Sequence, residues 1–325
     1  MAVKVLAILA LVMGCQMFEP KDTLGPILKR GDAYARDGLY KDAVSTYKRA
    51  LNQSPNNPNI HRGLGIIYVK IGDYKKATFH LEKSLKKFHS NFETNFYLGE
   101  AYRARERFGQ AIFRYNKALE QQPKSTKALK AVAWSYYKVR FYAEALRSSS
   151  RLRRLGPLDH QTAIITSRTL LKLGRFKKAL KILRKSEVLA KKGEIPYLKS
   201  VEGDILLKMG KTDAAERAYR LALKDQPLLA GALFGLGKSL LKNRRDQTVK
   251  AIDYIERAVR VKPRLKEALF FLGRHYQKVD PRKSKKYLRS FQKLAAADPE
   301  FQKELLEIKK YKAKKRKPIP LNPAR

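Results

Sequence analysis

The chain has 325 residues, 44% of them hydrophobic, and carries 72 Lys and Arg against 29 Asp and Glu, a formal net charge of +43. That length and apolar content suffice for a large core. The single cysteine, Cys15, excludes an internal disulfide framework and a thiolate metal cluster. A surface this basic points to an acidic partner, whether nucleic acid, anionic lipid or acidic protein. The basic residues are nonetheless spread along the whole chain and form no single dense patch.

In chain order, Met1 to Gly14 reads MAVKVLAILALVMG. Lys4 is a minimal basic start, and Val5 to Met13 is an apolar run of the length of a signal sequence, too short to span a bilayer. Val12-Met13-Gly14-Cys15 resembles a bacterial lipobox. Gly14 and Cys15 match its usual Leu-Ala-Gly-Cys form, and Met13 departs from it. The resemblance implies a signal peptide over 1–14, lipidation of Cys15 and a lipidated tether over 15–23. Extended, that tether reaches about 26 Å. Several acyl chains together anchor stably where one would be marginal. Gln16 stands where an Asp would retain a lipoprotein in the inner membrane. The implied location is therefore the cell envelope, as an outer-membrane lipoprotein facing the periplasm.

From Leu24 a pattern returns about every 34 residues. An opening small residue falls at Gly31, Gly65, Gly99, Ala133, Ser167, Gly203, Gly237 and Gly273, with steps of 34 or 36. Three residues after each stands Tyr34, Tyr68, Tyr102, Tyr136, Leu170, Leu206, Leu240 or Tyr276. A second small column runs Ala43, Ala77, Ala111, Ala145, Ala179, Ala215 and Ala251, and Pro55, Pro123, Pro157, Pro227 and Pro263 close most units. Small residues at fixed places let two helices approach closely. Gly38, Gly72, Gly174 and Gly210 fall where a left-handed residue ends the first helix, and the prolines end the second. One hairpin cannot bury its apolar face alone, so successive hairpins must stack. Two-residue insertions near Gly193–Ile195 and Arg244–Gln247 lengthen loops. Phe301, Leu305 and Ile308 mark one stripe of a capping helix over 298–312. A basic tail with three prolines, 313–325, is expected to be disordered.

The Gly-x-x-Tyr of the first helix, the Ala-x-x-x-Tyr-x-x-Ala of the second (Ala43, Tyr47, Ala50; Ala111, Tyr115, Ala118; Ala215, Tyr219, Ala222) and the closing prolines resemble the tetratricopeptide repeat (TPR) family. The resemblance implies an all-α, right-handed superhelical solenoid of about eight helix-turn-helix repeats over 24–297. Repeat five departs from the pattern at Ser167, Leu170 and Lys191, and repeat eight carries Pro281 in its turn. In the family, partners bind on the face lined by the first helices. Carried onto this chain, that face holds Phe96, Tyr97 and Arg103 in repeat three and Lys130, Trp134, Tyr137 and Lys138 in repeat four. It holds Phe234 and Lys238 in repeat seven, and Phe270 and Arg274 in repeat eight. Aromatics interleaved with cations suit a peptide bearing acidic and apolar groups; packing between helices is the competing role for the same rings. A basic ladder at the thirteenth position (Arg36, Lys70, Lys138, Lys172, Lys208, Lys242, Lys278) is common in such repeats.

No catalytic chemistry stands out. Ala232 to Ser239, ALFGLGKS, departs from a phosphate-binding loop at its first position and follows no strand. The five histidines are scattered and form no zinc helix. No catalytic residue, metal or cofactor is therefore expected, nor a small-molecule substrate, and the chain reads as a non-enzyme. The leading function is a membrane-anchored adaptor for a protein or peptide partner in an envelope complex of the pilus or secretion type, loosely similar to type IV pilus pilotin lipoproteins. The alternatives are a structural lipoprotein on cell wall or another anionic polymer, and a basic nucleic-acid binder; no recognition element supports the latter, so no nucleic acid is expected.

Overall fold

The structure is a computed structural model and describes residues 24–86, 91–243, 245–296 and 298–316. Met1–Gly14, Cys15, the tether over 15–23 and the tail beyond 316 lie outside the described residues. Every regular element among the described residues is helical. Eight hairpins follow one another: α1 (Leu24–Arg36) with α2 (Tyr40–Gln53), α3 (Pro58–Lys70) with α4 (Tyr74–Leu85), α5 (Phe92–Ala104) with α6 (Phe108–Gln121), α7 (Thr126–Lys138) with α8 (Tyr142–Leu155), α9 (His160–Lys172) with α10 (Phe176–Glu187), α11 (Ile195–Lys208) with α12 (Thr212–Asp225), α13 (Ala230–Asn243) with α14 (Thr248–Val261), and α15 (Lys266–Val279) with α16 (Pro281–Ala295). A last helix, α17 (Gln302–Arg316), follows. It runs beyond the expected boundary at 312, because Glu304 to Arg316 contains no helix breaker. The two insertions form short 3-10 turns, Lys192–Glu194 and Arg245–Gln247. The chain divides into two compact units, one ending at Gly156 and the other beginning at Pro157.

Within each unit every first helix packs on its own second helix, and each second helix on the first helix of the next repeat. The columns read from the sequence are the contact surface. The alanines of the second column are all fully buried. Tyr47 and Tyr219 of the second helices are wedged between two glycines each, and Tyr115 lies against Gly99 alone. A Cβ on Gly99 would lie 2.6 Å from the Tyr115 ring, and one on Gly203 2.6 Å from Tyr219. Glycines two positions before the opening column crowd the same rings from the following repeat: a Cβ on Gly63 would lie 2.6 Å from Tyr47, and one on Gly235 2.2 Å from Tyr219. Where Ser167 replaces glycine, its buried hydroxyl donates to the Ala179 carbonyl oxygen at 3.1 Å. The departure in repeat five therefore leaves no unpaired polar group at that hydroxyl.

Two further columns escaped the sequence reading. Asn57, Asn91, Ser125 and Asp159, each 34 residues apart, cap the first helices α3, α5, α7 and α9 through side-chain oxygens that accept backbone N–H bonds. The left-handed turn at Gly38, Gly72, Gly174 and Gly210 is also taken by Glu106 and Arg140, at φ of 59° and 68°. Repeat spacing, rather than residue type, dictates the conformation there.

The wedge gives a direct test. Replacing Gly235 by Ala inserts a methyl into the Tyr219 ring. Overpacking of that kind costs about 1–3 kcal/mol, against a helix-propensity gain of about 1 kcal/mol. A net loss of up to about 2 kcal/mol in urea denaturation is expected. Gly109→Ala, with nothing within 4 Å of its Cβ, should be neutral or slightly stabilising.

Candidate functional site

In the first unit the cationic-aromatic face is built outward from the core. Tyr115, fully buried on α6, donates its hydroxyl to Glu100 Oε1 on α5 at 2.5 Å. Glu100 in turn accepts from Arg103 Nε at 3.2 Å and from its NH2 at 2.5 Å. Burial opposes the charge of Arg103, but the hydrogen bond and charge of Glu100 outweigh it and hold the guanidinium pKa above its ordinary value. Burial and the same carboxylate push the Tyr115 hydroxyl up. So fixed, Arg103 lies over the ring of Trp134 on α7, 5.4 Å from its centroid. Lys138, one turn on, lies over the same ring at 5.5 Å and over Phe108 at 5.8 Å. Phe108 meets Trp134 edge-on at 5.4 Å. Cations over such faces are attracted by the ring quadrupole.

Beside this cluster, Phe96 stacks on Phe92 at 5.9 Å and meets Tyr97 edge-on at 5.4 Å. Lys70 of the preceding repeat lies over Tyr97 at 5.8 Å. Tyr137 packs against Tyr142 at 6.1 Å, and Lys130 is half-buried one turn before Trp134. The rings expected on this face, Phe96, Tyr97, Trp134 and Tyr137, are thus half-buried, each against a neighbouring ring, with cations over Tyr97 and Trp134.

In the second unit the floor is charged rather than aromatic. Tyr219 donates to Asp204 Oδ1 at 2.8 Å. Asp204 keeps part of its surface open, yet dense packing around it raises its carboxyl pKa, against the opposing charges of Arg168 and Lys238. Lys238 lies over Phe234 at 5.2 Å. Burial, and after it the charge of Lys208, lowers its pKa. Phe234 meets Phe271 edge-on at 6.5 Å.

Two expected face residues are engaged by the chain's own C-terminal elements. Phe270, half-buried, packs on Phe291 at 5.1 Å against the cluster closed by Phe301 and Ile308. Arg274 is taken by an ion pair with Glu307 of α17. Ala232–Ser239 lies wholly within α13, so no phosphate loop forms; Gly235 and Gly237 there accommodate Tyr219 and Ile255. Sequence reasoning missed the role of the carboxylates Asp32, Glu100 and Asp204. Each follows an opening glycine and receives the hydroxyl of a tyrosine fifteen residues on. That offset was legible as a repeated Gly-Asp/Glu pair. Among the described residues no group of three or more His, Cys, Asp or Glu side chains is placed to hold a metal ion.

One titratable pair lies off this face. His61 Nε2 faces the Pro55 carbonyl oxygen at 2.9 Å and therefore carries the proton. Its Nδ1 then accepts from His80 Nδ1, also at 2.9 Å. Burial first, then His61, Lys83 and Lys48, push His80 down to about 4, and burial likewise lowers His61.

The hairpin spacing, the tyrosine wedge and the small-residue columns are joined by matching family models. Those described as TPR repeat and tetratricopeptide repeat cover residues 31–72, 63–126 and 201–248. These are tetratricopeptide repeats. A model described as anaphase-promoting complex, cyclosome, subunit 3 covers 104–186. The BBSome complex member BBS4 of Bos taurus is 24% identical over 195 residues, covering 60% of this chain and 37% of that protein. The TPR chain therefore spans well under half of that relative. Among solved structures, a tetratricopeptide repeat protein from Parabacteroides merdae superposes with a TM-score of 0.63 at 15% identity, covering 83% of this chain and 98% of that one. The APC/C hetero-tetramer Cut9–Hcn1 superposes at 0.57 and 15% identity, covering 89% and 56%. These likenesses establish the fold.

The histidine pair predicts a pH effect on the TPR fold. In the unfolded chain both rings protonate near 6.5, while folded His80 resists protonation until about 4. The unfolded state therefore binds more protons in that window, and stability falls as pH drops from about 6.5 towards 4. Allowing for the open side of the ring, the loss at pH 5 is about 1 kcal/mol. Denaturation at pH 7 and pH 5 should show it, and His80→Gln should flatten the difference.

Proposed function

We propose that this protein is a membrane-anchored TPR scaffold. It binds a protein partner through the first-helix face of repeats three and four, and it aids assembly of an envelope complex of the pilus or secretion type. The observation that carries the reading is the Arg103–Trp134–Lys138 cluster. Arg103 is held over Trp134 by a hydrogen-bond chain rooted in the core, and Lys138 lies over the same ring. A partner segment with acidic and apolar side chains meets both chemistries there: carboxylates on Arg103, Lys138, Lys130 and Lys70, apolar groups on Phe96, Tyr97, Trp134 and Tyr137. Because Glu100 already positions Arg103, less side-chain ordering is left there to oppose binding. TPR proteins bind protein partners, and two of the similar proteins are described as members of multi-protein assemblies. The anchor rests on the lipobox resemblance around Cys15, and the non-enzymatic role on the absence of a catalytic constellation among the described residues. A second reading, a structural lipoprotein held on anionic wall polymer, rests on the net charge of +43.

Crosslinking pull-down from membranes, wild type against Trp134→Ala, tests the scaffold. Aromatic anchors at interface centres typically cost 2 kcal/mol or more on truncation, about 30-fold in affinity. The partner band should therefore fade while helicity is retained; an unchanged partner set contradicts this face as the site. Membrane fractionation of Cys15→Ala tests the anchor separately. The variant should leave the membrane fraction, and retention there places the anchor elsewhere. Binding to purified sacculi that survives Trp134→Ala favours the second reading.

A further inference from the structure

We infer that the first-helix face of repeats five to eight is a docking site for an acidic amphipathic helix, and that residues 298–308 of this chain occupy it in cis. In a chain of net charge +43, Asp298, Glu300, Glu304 and Glu307 cluster within ten residues. Three of them reach first-helix cations. Asp298 pairs with Lys266 at 2.5 Å, Glu307 with Arg274 and Glu300 with Lys172. The last pair decides the matter. Capping the solenoid requires only that α15 and α16 be covered, yet Lys172 belongs to α9, 128 residues earlier and three repeats away. The segment therefore reaches across this face and does more than close its end.

Its apolar side supplies the anchors. Phe301 and Ile308 are buried, Phe301 meets Phe291 edge-on at 5.5 Å, and Lys266 lies over the Phe301 ring at 5.6 Å. The segment thus displays, in cis, the ligand chemistry this face accepts: acids spaced along a 3-10 turn and the helix after it, with an aromatic anchor among them and an aliphatic one just beyond.

Several features make the occupant displaceable. The Glu300 and Glu307 pairs are open to solvent, with side chains 38% to 46% exposed, and exposed pairs of this kind are individually weak. Glu304 buries its Oε2 with no hydrogen-bond partner, which opposes the closed arrangement. A partner helix with the same acid and anchor pattern competes for the same cations, and the cis segment lowers its apparent affinity by the fraction of time the site is closed.

The test uses the full chain, as wild type and as Glu300→Lys/Glu307→Lys. This variant removes two exposed ion pairs and leaves Phe301 and Ile308 in place. The probe is a fluorescein-labelled peptide with the sequence of residues 298–311, followed by anisotropy at low salt, with amide hydrogen exchange over 302–311 as the second readout. The variant should exchange faster over that helix and bind the peptide at least tenfold tighter than wild type. A peptide with Asp298, Glu300 and Glu307 each replaced by Lys should bind neither protein. Equal affinity of wild type and variant overturns the inference, as does faster exchange without any gain in binding. Concentration-dependent dimers of the wild type that the peptide does not dissolve also overturn it, assigning the face to a second copy of the chain.

Discussion

The structure depends on one buried contact: a tyrosine of three second helices inserted where glycine leaves no side chain, with its hydroxyl on a carboxylate of the first helix. Tyr47, Tyr115 and Tyr219 share this arrangement with Asp32, Glu100 and Asp204. The ring fixes how closely the helices of a hairpin approach. A glycine in the following repeat, Gly63 or Gly235, lets the same ring set the spacing to its neighbour. The hydroxyl carries that geometry to the adjacent flank of the first helix, because the carboxylate stands one position, about 100° of turn, after the opening glycine. Packing and surface chemistry are thereby linked through a single side chain.

The two units use the link differently. In the first, Glu100 passes the constraint to Arg103 and so to Trp134, giving a face of half-buried rings under cations. In the second, Asp204 lies among Arg168, Lys238 and Tyr219, and three first-helix cations, Lys172, Lys266 and Arg274, are met by the acidic segment ahead of and within α17. One repeat architecture therefore presents an aromatic face in one unit and a face covered by its own chain in the other.

Much of the fold was legible because the repeat is written in packing residues. Glycine and alanine columns survive only where helices touch, so their period reveals the hairpins directly. Ser167 and Pro281, which depart from the pattern, still fit it, one through a hydroxyl bond to Ala179 and the other at the first turn of α16. Less legible were features in which any of several residues suffices. Asn, Ser and Asp cap the first helices equally well, and Glu106 and Arg140 take a turn conformation that usually marks glycine. The site was harder still. Phe270 stands at the same place in its repeat as Phe96 and Phe234, but it packs against a cluster completed by α17, which the repeat period does not position. Arg274 is neutralised by a carboxylate 33 positions away that no column announces.

The link from core to face is tested most directly by a double-mutant cycle on Tyr115→Phe and Arg103→Met, read as affinity for an acidic, aromatic-bearing peptide. If the buried hydroxyl acts by holding Glu100 and hence Arg103 over Trp134, the two losses overlap and the double variant binds no more weakly than Arg103→Met alone. Fully additive losses would mean that the ring packs the helices without shaping the face.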